Sequence, residues 1–326
     1  MATKPKTTST SKTLSSRVGG LKLLNEFEEK EKIPTGIRSL DAILHGGIPK
    51  NSIAEAYGPE QGGKSCIGLQ LVGQAQKFGD CVYFDLENAF DKDKAANSGV
   101  NSDTLYFGDV SSGEAMFKSI EEIMGAGGVS LIVIDSVAAI MTEAELAGEA
   151  GDSFVASLAR LMSYGVKRVS DFQRTHNPDT ILFFVNQVRE NIGGGGGFSF
   201  GPSTYTPGGR ALKFYSSTRL KVGKRESIKA GEDIIGQKVI VENVKSRFAP
   251  PFQKATFDLY YDRNIGVSNE STIFDQAIKA KLIVQSGAWF SDADGVSLGQ
   301  GKMRVLDKMR NDPDYTNSLV AQLDAV

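Results

Sequence analysis

The chain has 326 residues, two cysteines, two histidines, 40% hydrophobic and 23% charged residues, and a net charge of −2. Those values fit one large globular domain, or a large one with a small companion. They argue against a disulfide framework, a zinc site and a strongly basic polyanion binder, and no apolar run approaches the roughly 20 residues that span a bilayer.

Residues 1–17 are rich in Ser, Thr and Lys, which predicts a flexible tail; with no apolar core it is not a secretory leader. The setting expected for such a chain is reducing and cytoplasmic, with no membrane partner. Leu21–Lys32 reads as a short helix with an apolar stripe at Leu21, Leu24 and Phe27. IPTGIRSLDAIL then opens the main domain, with Thr35 or Ser39 as candidate cap of a helix that buries Leu40, Ile43 and Leu44. Strand-like apolar runs follow at Ser52–Tyr57, Cys81–Asp85, Leu105–Gly108, Leu131–Asp135 and Ile181–Asn186, with helical patterns between most of them. LIVID and ILFFVN are continuously apolar, as strands of a parallel sheet buried on both faces must be. The alternation predicts an α/β layered fold. RLKV, GQKVIVENVK and KATFDLYY suit further strands of the same sheet. Past Ile273 the pattern changes: FDQAIKAKLI is helical, GAWFSDADG reads as a hairpin with Trp289 in a small core, and Gly299–Leu323 is helical with a break at Pro313. The predicted organisation is a tail and short helix over 1–32, an α/β core over 33–266 and a small α+β domain over 267–326.

The charge is unevenly spread. Arg210 to Lys254 holds eleven Lys/Arg and four Asp/Glu, a local +7 that leaves −9 for the rest. A polyanion can use such a local surface despite the neutral total.

GPEQGGKS (Gly58, Pro59, Glu60, Gln61, Gly62, Gly63, Lys64, Ser65) has the G-x-x-x-x-G-K-[ST] spacing of a phosphate-binding loop, between a strand-like and a helical run. Glycines let backbone N–H groups approach phosphate, Lys64 reaches the outer phosphates, and Ser65 offers a hydroxyl to Mg²⁺. The competing reading, a chance Gly-rich turn, lacks a partner acid; Asp135 at the end of LIVID supplies one and is placed to hold Mg²⁺ through water. Glu87, just beyond the strand CVYFD, suits polarisation of an attacking water, or is a solvated loop acid. Gln187 ends ILFFVNQ and adjoins a glycine-rich loop, which suits a nucleotide-sensing switch or an ordinary strand end. Lys245 and Arg247, spaced i, i+2, either complete a neighbouring subunit's ATP site or sit on a solvated edge strand. Two segments are candidate DNA loops: Ala147–Val155, and Glu190–Pro207 with its glycine run Gly193–Gly197 and the aromatics Phe198, Phe200 and Tyr205. Arg160, Lys167, Arg168, Arg189 and Arg210 stand near them for phosphate contact; the plain alternative is a pair of mobile loops.

IPTGIRSLDAILHGGIPKNSIAEAYGPEQGGKS, DLENAFD, VIDSVAAI, AELAGEAGDS, FFVNQVRENIG, GGRALKFYSSTRL, VKSRFAPPF and GAWFSDADGVSLGQGK resemble, in order, segments of the bacterial-type RecA recombinases from about Ile33 to Lys302. The resemblance implies a P-loop core with a mostly parallel twisted sheet, and an ATP-dependent recombination protein that forms a helical filament on single-stranded DNA and pairs it with a homologous duplex. It implies DNA-dependent ATP hydrolysis with Mg²⁺ in DNA repair, and a filament on which a repressor is cleaved in the SOS response. Residue by residue, Gly58–Ser65 with Cys66 matches the ATP loop, and Glu87 the catalytic glutamate. Asp91 matches an adenine contact, Asp135 and Ser136 the Mg²⁺-associated strand end, and Gln187 the ATP-sensing glutamine. Lys245 and Arg247 match two basic residues that reach ATP across the filament interface. Phe214 matches an interface residue, and Ser163, Lys167, Arg189, Gly208, Gly209 and Arg210 DNA-contacting positions. Lys94 stands where the family usually has a tyrosine stacked on adenine, which implies either looser base recognition or more reliance on Tyr261. The second loop is longer and richer in glycine, the N-terminal arm is short, and the family's acidic tail is absent, features of a phage or atypical bacterial source. The other readings are a nucleotide-switched filament scaffold with weak strand exchange and, more remotely, a hexameric helicase.

Overall fold

The computed structural model describes Val18, residues 29–149, Phe154, and residues 156–176, 178–190, 204–262 and 264–325. The fold below is that of the unit from Lys32 onward. It opens with β1 (Lys32–Ile33), α1 (Arg38–Ile43) and β2 (Ile48–Pro49), continues into β3 (Ser52–Gly58) and α2 (Lys64–Ala75), then β4 (Asp80–Asp85), α3 (Lys92–Asn97) and β5 (Leu105–Phe107). Next come α4 (Gly113–Ala126), β6 (Val129–Asp135), α5 (Glu143–Ala147), α6 (Ser157–His176) and β7 (Ile181–Gln187). Two short strands, β8 (Arg189–Glu190) and β9 (Thr204–Tyr205), pair with each other ahead of α7 (Ala211–Tyr215). The second half holds β10 (Thr218–Ala230), β11 (Asp233–Ser246), β12 (Lys254–Tyr260), β13 (Val267–Ser268) and α8 (Asn269–Lys279). It ends with β14 (Ile283–Ser286), β15 (Trp289–Asp292), β16 (Ser297–Gln300), α9 (Lys302–Asn311) and α10 (Pro313–Asp324).

Nine strands form one sheet in the order β13-β12-β11-β10-β3-β7-β6-β4-β5. The strands from β10 to β5 run parallel to their neighbours, and β11, β12 and β13 add antiparallel partners at one side. The continuous apolar runs are explained by burial on both faces. Leu131, Val133, Ile181 and Phe183 point to one layer with Ile67, Leu71 and Val72 of α2; Ile132, Ile134, Leu182 and Phe184 point to the other with α4 and α6. On that second face α4 and α6 approach closely at Gly165, where a Cβ would lie 2.3 Å from the Phe117 ring.

After the sheet, β14, β15 and β16 form a small antiparallel sheet covered by α8, α9 and α10, with Phe274, Ile283, Phe290, Leu298, Leu306 and Met309 in its core. This is the expected class: an α/β core with a mostly parallel central sheet and a small C-terminal α+β domain. The break at Pro313 has a clear cause. Asp312 ends α9, its side chain caps α10 by accepting from Tyr315 N at 3.0 Å, and Pro313 takes the first helical position, where it needs no N–H.

Three local expectations are corrected. Neither Thr35 nor Ser39 caps α1: the N-cap is Ile37, and Thr35 instead donates its hydroxyl to Asp41 at 2.7 Å while Ser39 lies inside the helix. Lys32, placed at the end of a helix by its sequence, lies in β1; Leu21–Glu28 fall outside the described residues. Trp289 is 54% exposed, and the neighbouring Phe290 (7%) fills the small core, because alternation along β15 sends adjacent side chains to opposite faces.

Candidate nucleotide and DNA-binding site

The loop Gly58–Ser65 joins the C-terminal end of β3 to the first turn of α2. Gly58 is required by contact: a Cβ there would lie 1.9 Å from the carbonyl oxygen of Val222 in β10. Gly63 is required by conformation, since it caps α2 with φ +95° and ψ +13°, a region costly for residues with a Cβ. Together they give a close backbone turn whose amides and helix N-terminus suit an anion. Lys64 is buried and its amine donates to Pro59 O at 2.6 Å, so its charge is held over the loop. Burial lowers the Lys64 pKa, opposed by Asp135, Glu87 and Glu60.

Three neighbouring strand ends bring the acidic groups to this loop. Asp135 closes β6 and is buried; burial pushes its carboxyl above the ordinary value, while hydroxyl donors on Tyr83 and Ser65 hold it down. The Tyr83 hydroxyl donates to Asp135 Oδ2 at 2.6 Å. At the end of β4, Asp85 accepts from Ala89 N (3.1 Å) and Phe90 N (2.9 Å), closing the turn that presents Glu87 to solvent. Glu87 Oε1 accepts from the Ser136 hydroxyl and from Gln187 Nε2, the latter at 3.0 Å. Glu87, Gln187 and Ser136, distant in sequence, thus form one hydrogen-bonded group beside the P-loop.

Beside it lies a cleft of about 480 Å³ lined by Gln61–Cys66, Asp91, Lys94, Gln237 and Tyr261. Asp91 caps α3, accepting from Asp93 N (3.0 Å) and Lys94 N (3.1 Å), and pairs with the Lys94 amine at 3.4 Å. The Lys94 backbone N–H holds its carboxyl below the usual range. Tyr261 forms a half-exposed wall, its hydroxyl donating to Gln237 Oε1 at 3.4 Å, while Gln237 Nε2 donates to Gln61 O at 2.8 Å. Burial raises the Cys66 thiol to about 11, so it stays protonated at neutral pH. Gln237 and Tyr83 escaped the sequence reading. Tyr83 left one trace, a hydroxyl-bearing residue inside an apolar strand, whereas Gln237 is an unremarkable polar residue of an alternating strand.

Lys245 and Arg247 do not join this group within the chain. Lys245 lies eight residues from Gln237 along β11, about 27 Å at 3.4 Å per residue. Its amine donates to the carbonyls of Lys213 and Phe214, both at 2.9 Å, at the end of α7. Burial, then the charges of Arg247 and Arg219, lower its pKa. Arg247 lies past the end of β11 and is exposed, its N–H bonded to Ser217 O at 3.0 Å, so the two are not strand neighbours on one face.

The candidate DNA residues gather on one side. Arg160, Ser163 and Lys167 occupy the exposed stripe of α6, whose other face buries Leu161, Met162, Val166 and Val169. Gly208 and Gly209 have φ of +81° and +74°, and a Cβ at Gly209 would meet Ala159 Cβ at 3.1 Å, so this pair brings the backbone just before Arg210 close to the start of α6. Arg189 pairs with Tyr205 across β8 and β9. Arg210 and Arg189 are exposed, as is Phe214 of α7 at 63%. Gly193–Gly197, Phe198 and Phe200 lie outside the described residues.

A strand–GxxxxGKS–helix unit with an acid at the end of β6, one strand removed from β3 across β7 in a mostly parallel sheet, defines a P-loop nucleotide-binding protein. The family model of the RecA N-terminal domain matches residues 17–266, and that of the RecA C-terminal domain residues 271–325. The chain is 41% identical over 291 residues to Protein RecA of Saccharopolyspora erythraea, covering 89% of this chain and 82% of the relative. It is 40% identical over 313 residues to Protein RecA of Heliobacterium modesticaldum, covering 94% and 87%. With Protein RecA of Bdellovibrio bacteriovorus it shares 40% over 290 residues, covering 88% and 74%. The chain belongs to the RecA family. It is accordingly a DNA-dependent ATPase of the P-loop class and an ATP-dependent recombinase of DNA repair. It binds nucleotide and DNA, and no helix among its described residues is long and apolar enough to cross a membrane.

Proposed function

We propose that this recombinase uses ATP with Mg²⁺, forms a helical filament on single-stranded DNA, and pairs that strand with a homologous duplex. The observation that carries the reading is the hydrogen bond from Gln187 to Glu87 beside the P-loop. It joins a group suited to activating water to the strand end from which the second DNA segment departs. The residues present fit the nucleotide: the glycine cradle leaves no room for a Cβ at Gly58, the Lys64 amine sits over the loop, and the cleft beside it is wide enough for a base.

In this reading the amides of Gly62, Gly63, Lys64 and Ser65 hold phosphate oxygens, and Ser65 with Asp135 holds the metal. When bound, Mg²⁺ neutralises developing charge on the phosphates. Glu87 orients the attacking water and takes up its proton. Gln187 lets go of Glu87 to report on the nucleotide, and Asp91 with Tyr261 positions the adenine. Arg160, Ser163, Lys167, Arg189, Gly208, Gly209 and Arg210 form the DNA face. Lys245 and Arg247 act on the ATP of the adjacent subunit, which their placement away from the chain's own P-loop favours. Residues 33–266 make up the ATPase core and 267–326 the small domain; residues 1–32 serve subunit contact. The protein works in the cytoplasm, and its filament supports cleavage of a repressor.

The test is Lys64→Ala against wild type, assayed for DNA-stimulated hydrolysis and strand exchange. Loss of both, with folding intact, is expected; retention of both sinks the site assignment. Wild-type hydrolysis without strand exchange would instead favour a nucleotide-switched scaffold.

A further inference from the structure

A second polar group lies inside the core, below the P-loop. Glu55 of β3 is fully buried, three residues before Gly58. Its Oε2 accepts from Arg219 Nε of β10 at 2.5 Å, and its Oε1 accepts from Asn186 Nδ2 of β7 at 3.1 Å. The Arg219 guanidinium also lies over the Tyr57 ring, 4.5 Å from its centroid. Asn186, likewise fully buried, uses its side chain three ways: Nδ2 also donates to Pro207 O at 3.2 Å, and Oδ1 accepts from Gln187 N at 2.9 Å.

A buried ion pair is poor evidence for stability alone, since apolar residues of similar volume often serve as well. What distinguishes this one is its wiring. Asn186 and Gln187 are adjacent on β7, so their side chains leave the strand on opposite faces. Gln187 meets Glu87; Asn186 meets Pro207, the residue before Gly208, Gly209 and Arg210. A shift of the β7 tip that frees Gln187 from Glu87 therefore pulls on the Pro207 carbonyl, while Glu55, fixed by Arg219, supplies the anchor. Coupling of this kind requires contacts that differ between two states, and one amide shared between both ends is placed to make such a difference.

We infer that Asn186, held by Glu55 and Arg219, is a positioning residue that couples the nucleotide end of β7 to the Pro207–Arg210 root of the DNA-contacting segment. This rests on the reading of Gln187 as nucleotide sensor. The full chain is tested as wild type, Asn186→Ala and Gln187→Ala. Two ratios are measured: hydrolysis with over without single-stranded DNA, and DNA affinity with a non-hydrolysable ATP analogue over that with ADP. In Asn186→Ala, hydrolysis without DNA stays within about twofold of wild type, because the side chains of Lys64, Glu87 and Gln187 are retained and Gln187 loses only the acceptor of its backbone N–H, and both ratios fall about tenfold. Ratios that stay within about twofold of wild type in a folded Asn186→Ala protein, while Gln187→Ala loses them, overturn this inference alone. If Gln187→Ala keeps them too, the sensor reading fails and takes the inference with it. Hydrogen exchange on the wild type gives an arm that needs no variant: the amides of Gly208, Gly209 and Arg210 change protection together with Gln187 when the ATP analogue binds. Change at Gln187 alone refutes the coupling.

Discussion

Replacing Gly58 by Ala isolates one physical requirement of the nucleotide loop. Gly58 does not use a left-handed backbone, so the substitution adds no dihedral strain. It adds a methyl whose carbon would lie 1.9 Å from Val222 O and 2.9 Å from Val222 C. Relief requires β3 and β10 to part by about 1 Å at that point. Val222 cannot simply retreat, because it is paired with Val241 of β11 and follows Lys221, which pairs with Tyr57. One or two ladder hydrogen bonds distorted at about 1 kcal/mol each, plus about 1–3 kcal/mol of overpacking, give an expected loss of about 2–5 kcal/mol. The damage reaches the site, since Gly58 O accepts from Val188 N at 3.2 Å, next to Gln187. Urea unfolding without nucleotide measures the stability, and kcat/KM for ATP should fall more than about tenfold in parallel. Gly223→Ala is the control: its Cβ meets nothing nearer than Ile240 Cγ2 at 4.0 Å, so a loss under about 0.5 kcal/mol is expected. Equal behaviour of the two variants would refute the argument from close approach.

In the small domain, Trp289→Ser should change stability by less than about 0.5 kcal/mol, whereas Phe290→Ala should cost about 3–5 kcal/mol, because Phe290 packs edge-on to Phe274 with centroids 5.2 Å apart. Denaturant unfolding of both decides it, and the reverse order would contradict the observed strand phase. Glu145 carries a pH dependence. The Thr142 backbone N–H, then the Ser157 and Thr142 hydroxyls, hold its carboxyl below the ordinary value. A depressed carboxyl stabilises the fold above the unfolded value of about 4.3, and that contribution disappears as pH falls through the folded value. Glu145→Ala should therefore cost a few tenths to about 1 kcal/mol at pH 7 and less at about pH 3. The same loss at both pH values in urea unfolding would remove the capping box as its origin.

The elements most legible in the sequence were those whose cause is local. Leu131–Asp135 and Ile181–Gln187 are apolar on both faces because they lie inside the sheet, and that shows as an unbroken run. Trp289 was misread for a complementary reason. In a four-residue strand between two turns, alternation says that Trp289 and Phe290 face opposite ways, but not which way is inward. That phase is set by the helices above the sheet, which lie elsewhere in the chain. Thr35 differs because a hydroxyl before a helix can donate to a side chain within that helix instead of capping its N–H groups; the carboxylate of Asp41 accepts that hydrogen bond.

The nucleotide loop shows the same division most sharply. Gly58–Ser65, its strand and its helix were settled by the sequence alone, since spacing and backbone freedom within one turn are properties of neighbouring residues. Asp135, Glu87 and Gln187 could be nominated singly as polar ends of apolar strands. That Glu87 receives both Ser136 and Gln187, that Asn186 shares one amide between Glu55 and Pro207, and that Lys245 is tied to the end of α7 were decided only by the tertiary structure. Those contacts join residues tens to more than a hundred positions apart. They exist because strand order in a parallel sheet brings chain-distant strand ends side by side, an order that no local pattern encodes.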